Sequence, residues 1–165
     1  MGDQELTRRL EELATREALK ELRARYCWYA SRGDYERMTQ LYTPDGVFEF
    51  MAEGKRLAFR GHDGIRECLR KTTHPGLVFP MVHNDVLVIT GAEAVGTCGM
   101  EARTTSKEMP AFSGYYHDRF RRIEGQWFFA ERRFFRYWPA FERSGLDIDG
   151  TPESGLSAQH ERKPG

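Results

Sequence analysis

The chain lacks an excess of either charge: 25 lysines and arginines are matched by 25 aspartates and glutamates. A balanced surface exerts no long-range pull on a polyanion or an anionic bilayer, so neither nucleic acid nor membrane is an expected partner. Cysteine is scarce. Cys27, Cys68 and Cys98 are odd in number, far apart and form no C-x-x-C pair. That argues against a disulfide framework or a zinc site and fits a reducing, cytoplasmic setting. No apolar run approaches the length that spans a bilayer, and residues 1–25 are charged throughout, without the apolar stretch of a signal peptide. A Walker loop, a G-x-G-x-x-G turn and metal-ligand spacing are all missing, so no cofactor and no metal are expected. What the chain does have is aromatic side chains, 13% of its residues. Many fall in 26–42 and 112–141, a clustering that marks a thick core or a pocket for a flat apolar ligand.

The 165 residues suit one domain. Leucines at 6, 10 and 13, then Leu19, Leu22, Tyr26 and Tyr29, recur at helical spacing and predict a helix over 4–32, with a possible break at Ala14–Thr15. Gly33 stands where a C-terminal glycine cap belongs, and Asp34 where an N-cap opens a short helix over 35–42. Residues 44–46 read as a turn, 47–51 as a strand with 57–59 as hairpin partner, and 65–71 as a helix capped by Asp63. Strands are expected at 81–90, 94–105, 112–122 and 126–137, the last two joined by a tight turn at Glu124–Gly125. Helices followed by a run of antiparallel strands indicate an α+β domain with helices on one side of the sheet. That domain is expected over 1–143. Residues 144–165, rich in Gly, Ser, Pro and charge, read as a mobile polar tail.

Several short stretches carry a family likeness in this order: YCWYASRGD at 26–34, YERMTQLYTPDGVFEF at 35–50, GHDGI at 61–65, MVHN at 81–84, GYYHD at 114–118, EGQW at 124–127, and Arg132 five residues after that tryptophan. In arrangement the chain is similar to the nuclear transport factor 2-like superfamily, and within it resembles the scytalone dehydratase and SnoaL-like branch. The resemblance implies a cone-shaped curved antiparallel sheet packed against N-terminal helices around one pocket. It implies a cofactor-free lyase or isomerase: dehydration, isomerisation or cyclisation by proton transfer on a small hydrophobic, aromatic or polycyclic molecule. A homodimer or homotrimer is common in the family. Such dehydratases pair an Asp late in the first helix with a His ahead of a meander strand. The matching positions here are Ser31 and Pro80. A second catalytic His falls near Cys98, an active-site Asn near Tyr116 and a pocket Tyr near Phe50.

With the usual pair replaced, other groups become candidates. His83, three residues after the family His position, could be the base, since an imidazole gives and takes protons near neutrality; otherwise it is a surface histidine at a strand start. Tyr116 and Tyr29 could donate to a developing oxyanion, or be core aromatics. Asp118 shares a strand face with Tyr116, and Arg132, Phe134 and Arg136 share one on the last strand. If buried, Asp118 and Arg132 must pair, either to hold a substrate or as a structural ion pair. Ser31 and Cys27, one helical turn apart, and Cys98, Trp28, Phe48, Phe50, Phe134 and Arg136 are further candidates for the pocket wall. His62 and His74 read as exposed loop residues. Two other readings compete with the enzyme: a non-catalytic binder of the same ligand, and a structural subunit like the small subunit of aromatic-ring dioxygenases.

Overall fold

Helix α1 (Gly2–Arg32) runs without a break in the computed structural model, which describes residues 2–52, 54–107, 111–138 and 144–153. At 1.5 Å per residue it is about 46 Å long. Its two apolar stripes have different fates. Leu19 and Leu22 are buried, joined by Arg23, Tyr26, Cys27 and Ala30. Leu6, Leu10 and Leu13 stay 58%, 57% and 60% exposed, because no described residue covers the first turns. At the far end Gly33 adopts φ +68°, a conformation it reaches without a Cβ clash. The amides of Gly33 and Asp34 donate back to the carbonyls of Ala30 and Tyr29. Asp34 then caps α2 (Tyr35–Gln40), its carboxylate accepting from the Arg37 amide at 3.1 Å.

Strands β1 (Tyr42–Ala52) and β2 (Lys55–Arg60) form a hairpin, and α3 (Gly61–Thr72) follows. The antiparallel meander comprises β3 (Val78–Thr90), β4 (Glu93–Thr104), β5 (Phe112–Ile123) and β6 (Gln126–Trp138). The six strands lie in the order β2-β1-β6-β5-β4-β3. The expectation of a wholly antiparallel sheet needs one correction: β1 pairs with β6 in parallel. The sheet is therefore mixed, and it is not closed. Helix α1 packs against β3 and β6, and α3 against β1 and β2, giving an α+β fold whose core lies between helices and sheet. Among the boundaries that differ from the sequence reading, two bear on local chemistry. Residues 44–46 lie within β1 as an irregularity rather than before it. Helix α3 starts at Gly61, so Asp63 sits in its first turn, paired with Arg66 at 2.7 Å, and is no cap.

Bulges decide which residues face the core. The β3–β4 register slips between His83 and Val86, with Asn84 at φ +55°. Before the slip Val82 packs on the core; after it Leu87 and Ile89 do, so the inward parity changes from even to odd. Gly96 makes this possible, since a Cβ there would lie 2.1 Å from the Val86 carbonyl oxygen. In β6 the pairs Phe120–Phe129 and Arg119–Glu131 leave Ala130 as the extra residue. Thus Phe129 and Arg132, of opposite parity, are both buried completely. An extra residue in one strand turns the following side chains to the other face.

Residues 144–153, read from the sequence as part of a mobile tail, are held to the outer face of the sheet. The Ser144 amide donates to the Tyr115 hydroxyl at 2.8 Å, and His117 Nε2 lies 3.0 Å from the Asp147 carbonyl oxygen. Leu146 bridges to Pro152. Residues 154–165, the rest of that expected tail, lie outside the described residues.

Candidate functional site

A cavity of about 210 Å³ opens between the helices and the inner face of the sheet. Its walls are apolar: Phe48 and Phe50 from β1, Met100 from β4, Phe134 from β6, with Met38 and Leu69 from α2 and α3. Phe134 packs against Tyr116 and Phe112 at centroid distances of 5.4 and 6.2 Å. The polar groups are few. Tyr26 and Tyr116 contribute phenols; Thr72, Thr73 and His74, at the end of α3, line one side together with Pro80; and Arg136 lines the β6 side. Among the described residues no Asp or Glu lines this cavity. Burial pushes the Tyr116 phenol well above its ordinary 10.0, with Tyr26 adding to the shift and Arg132 opposing it. The phenol therefore stays protonated, able to donate a hydrogen bond.

Beneath the two tyrosines lies a line of four charges. Asp85, its side chain 19% exposed, accepts from Arg23 Nη1 at 2.5 Å. Arg23 Nε donates to Asp118 Oδ2 at 2.9 Å, and Asp118 Oδ1 faces Arg132 Nε at 3.3 Å. Arg23, Asp118 and Arg132 are fully buried. The Arg132 guanidinium carbon stacks 3.6 Å from the centroid of the Tyr116 ring and 4.4 Å from that of Tyr26. Its Nη1 has no hydrogen-bond partner, and Nη2 lies 3.9 Å from Cys98 Sγ. Burial is the largest influence on Arg132 and opposes its charge, but Asp118, together with Tyr116, Cys98 and Tyr42, raises the pKa above its ordinary value. Arg23 is raised likewise: burial opposes its charge most, but Asp118, Cys98 and the bond to Asp85 together prevail. Buried ion pairs of this kind are costly to desolvate and very costly to break.

The residues singled out in the sequence divide cleanly. Tyr116, Phe48, Phe50, Phe134 and Arg136 line the cavity. Asp118 and Arg132 pair with each other below it. Cys98 is buried beside Arg132. His83 requires the main correction: it faces the opposite side of the sheet. Its ring lies over Gly99, whose added Cβ would sit 2.6 Å from the ring, and its side chain is 44% exposed, 3.7 Å from Glu101. Alternation on β3 decides this, since neighbouring Val82 points inward. Tyr29 is in a groove on the far side of α1, under Arg37 at 4.7 Å. Trp28 is 57% exposed and stacks with Arg32. Ser31 bonds its own helix through the Cys27 carbonyl at 2.9 Å, and neither it nor Cys27 lines the cavity.

Sequence reasoning missed Arg23, Asp85, Tyr26 and His74. Arg23 left a signal: it stands four residues after Leu19 and three before Tyr26, a charge inside an apolar stripe. His74 sits in an exposed loop as expected, but that loop borders the cavity. Among the described residues no group of His, Cys, Asp and Glu has the arrangement of a metal site, and no helix is long and apolar enough to cross a membrane.

A family model described as the SnoaL-like domain matches residues 11–133. The chain belongs to the SnoaL-like domain family. Comparison with curated proteins finds no match. Solved structures share the SnoaL-like fold at low identity. An NTF2-like protein with a cystatin-like fold from Novosphingobium aromaticivorans has 22% identity and a TM-score of 0.72, the match covering 82% of this chain and 90% of that one. A protein of unknown function from Mycobacterium tuberculosis has 24% identity and a TM-score of 0.69, covering 84% and 83%. A hexachlorocyclohexane dehydrochlorinase has 16% identity and a TM-score of 0.67, covering 82% and 93%.

Proposed function

We propose that this SnoaL-like cavity is the active site of a cofactor-free lyase or isomerase that moves a proton on a small, largely apolar ring compound. One observation carries the reading: on largely apolar walls the cavity is lined by His74, Arg136, Tyr26 and Tyr116, with Thr72 and Thr73 beside them. Proton abstraction beside a carbonyl needs a base, a donor for the oxygen that gains charge, and a site that keeps water out. His74 takes the proton from carbon. The electron pair moves to the carbonyl oxygen, where the protonated Tyr116 phenol and the Arg136 charge stabilise it. The imidazolium then returns the proton at another carbon, completing an isomerisation. In the elimination variant, a leaving group departs with the electron pair. Elimination draws support, at the level of fold, from the neighbour named for dehydrochlorinating an alicyclic ring.

Non-catalytic binding is the second reading. It is favoured by Ser31 and Pro80, which stand where the resemblance places an acid–base pair. Isomerisation of 3-cyclohexen-1-one to its conjugated isomer, followed by ultraviolet absorbance, separates the two. The enzyme reading expects acceleration by the protein and a loss of about 100-fold or more in kcat for His74→Ala. Saturable binding with no turnover on any such ring compound supports the binder instead. Full turnover by His74→Ala removes His74 as the base.

A further inference from the structure

Among the described residues, the four most exposed large apolar side chains all belong to α1: Leu6, Leu10, Leu13 and Trp28, each more than half exposed. The next, Tyr137, is at 47%. At 3.6 residues per turn the four fall within about 60° of one another, and the exposed Ala24 falls among them. Positions 6, 10, 13, 17, 20 and 24 step alternately by four and three, the spacing of a coiled-coil seam. The side chains that α1 buries, Leu19, Leu22, Arg23, Tyr26 and Ala30 among them, centre about 140° round the helix. The helix therefore has one face on its own sheet and a second apolar face turned to solvent.

We propose that this second face is the contact between two copies of the chain, their α1 helices packed antiparallel about a two-fold axis at Glu17. That register sets Leu6 against the partner's Trp28, Leu10 against the partner's Ala24, and Leu13 against the alkyl stem of the partner's Lys20. It covers all four exposed side chains in both copies. A register centred on Leu10 would cover only the first half of the helix and leave Trp28 in water. Charge fits the same register. A two-fold brings like flanks together, and Asp3 and Arg32 are on one flank of the stripe, so Asp3 meets the partner's Arg32 at each end. At the axis each Glu17 brings its own counter-charge, Lys20 at 2.9 Å. Antiparallel helices also oppose their dipoles. At ordinary side-chain areas the four groups leave roughly 450 Å² open per copy, and two copies with the polar margins of the seam approach the roughly 1,200 Å² at which specific interfaces begin. Asp3, Glu17 and Glu21 border the stripe, which disfavours an anionic bilayer as its cover.

Sedimentation equilibrium of the full chain from about 1 to 100 μM tests it, since an interface of this size predicts a dimer that forms within that range. Leu10→Glu changes a solvent-facing position. It is expected to keep the fold by circular dichroism and to weaken the dimer about ten-fold or more. Asp3→Arg is expected to weaken it as well, and Asp3→Arg combined with Arg32→Asp to restore it, which tests the register. The native thiols are buried, so a short bismaleimide reports on an introduced one. It is expected to couple two copies of Glu17→Cys, at the axis, and not of Glu11→Cys, about 120° round the helix. A monomer throughout the range, or a dimer that Leu10→Glu leaves intact, overturns the proposal. So does a monomer that binds phosphatidylglycerol vesicles through the stripe, losing them in Leu10→Glu.

Discussion

Arg132 has no route to water, and three aromatic rings surround its guanidinium. Its charge persists in the core only because Asp118 lies between it and Arg23. Replacing Asp118 by Asn keeps the shape and removes the counter-charge, leaving Arg132 buried without an anion while Arg23 keeps only Asp85. The expected cost is about 3–5 kcal/mol, the usual penalty for uncompensated buried charge, read as a lowered urea midpoint. His83 predicts the reverse. Being on the outer face, His83→Ala is expected to leave ligand affinity and turnover within about two-fold, inside the range of surface substitutions; a large loss would place it in the site after all. The thiols give a pH prediction. Burial, with Asp118 adding, pushes Cys98 from 9.0 to about 12, and burial pushes Cys27 to about 11. The folded chain keeps these protons where the unfolded chain releases them near 9, so stability is full below pH 9 and falls as pH rises from there towards 11–12. Denaturant midpoints from pH 7 to 10 check the sign. Slow reaction of the native thiols with Ellman's reagent at pH 8, against rapid reaction in urea, checks the burial.

At the scale of the element, the bulges separate what could be read in advance from what could not. Asp34 and Gly33 act through local chemistry, a side-chain cap and a left-handed backbone, and the sequence displays both. The turn at Glu124–Gly125 is equally plain, with φ of +49° and +82°. Arg132, Phe134 and Arg136 share a face, as period-two alternation requires. The slip that also turns Phe129 inward depends on Ala130 being unpaired opposite β5, which no local signal announces. The slip at Asn84 likewise changes parity along β3, so Asp85 reaches Arg23 while His83 faces outward. Gly96 tests this picture. Gly96→Ala would force a methyl against the Val86 carbonyl and is expected to cost about 1–3 kcal/mol. An unchanged unfolding midpoint would mean that the β3 bulge does not need the close approach.

For the whole molecule, helix-first order and a long meander were enough to anticipate an α+β domain, because hydrophobic period and turn residues are local and recur along the chain; the SnoaL-like arrangement came from the family resemblance of its motifs. The cavity was only half legible. Its aromatic walls came from strand alternation and from family resemblance. Its charged floor is assembled from α1, β3, β5 and β6, through contacts between residues as far apart as Arg23 and Asp118. The account's central claim is that ligands enter this cavity and not a second hollow on the opposite face, which His83, Gly99, Tyr115 and Leu146 line. The most direct measurement is a crystal structure with 4-bromobenzoate bound, the bromine located by its anomalous signal. The account predicts a bromine peak among Phe48, Phe134 and Tyr116, inside the cavity. Bromine on the outer face near His83, with the cavity empty, would contradict it.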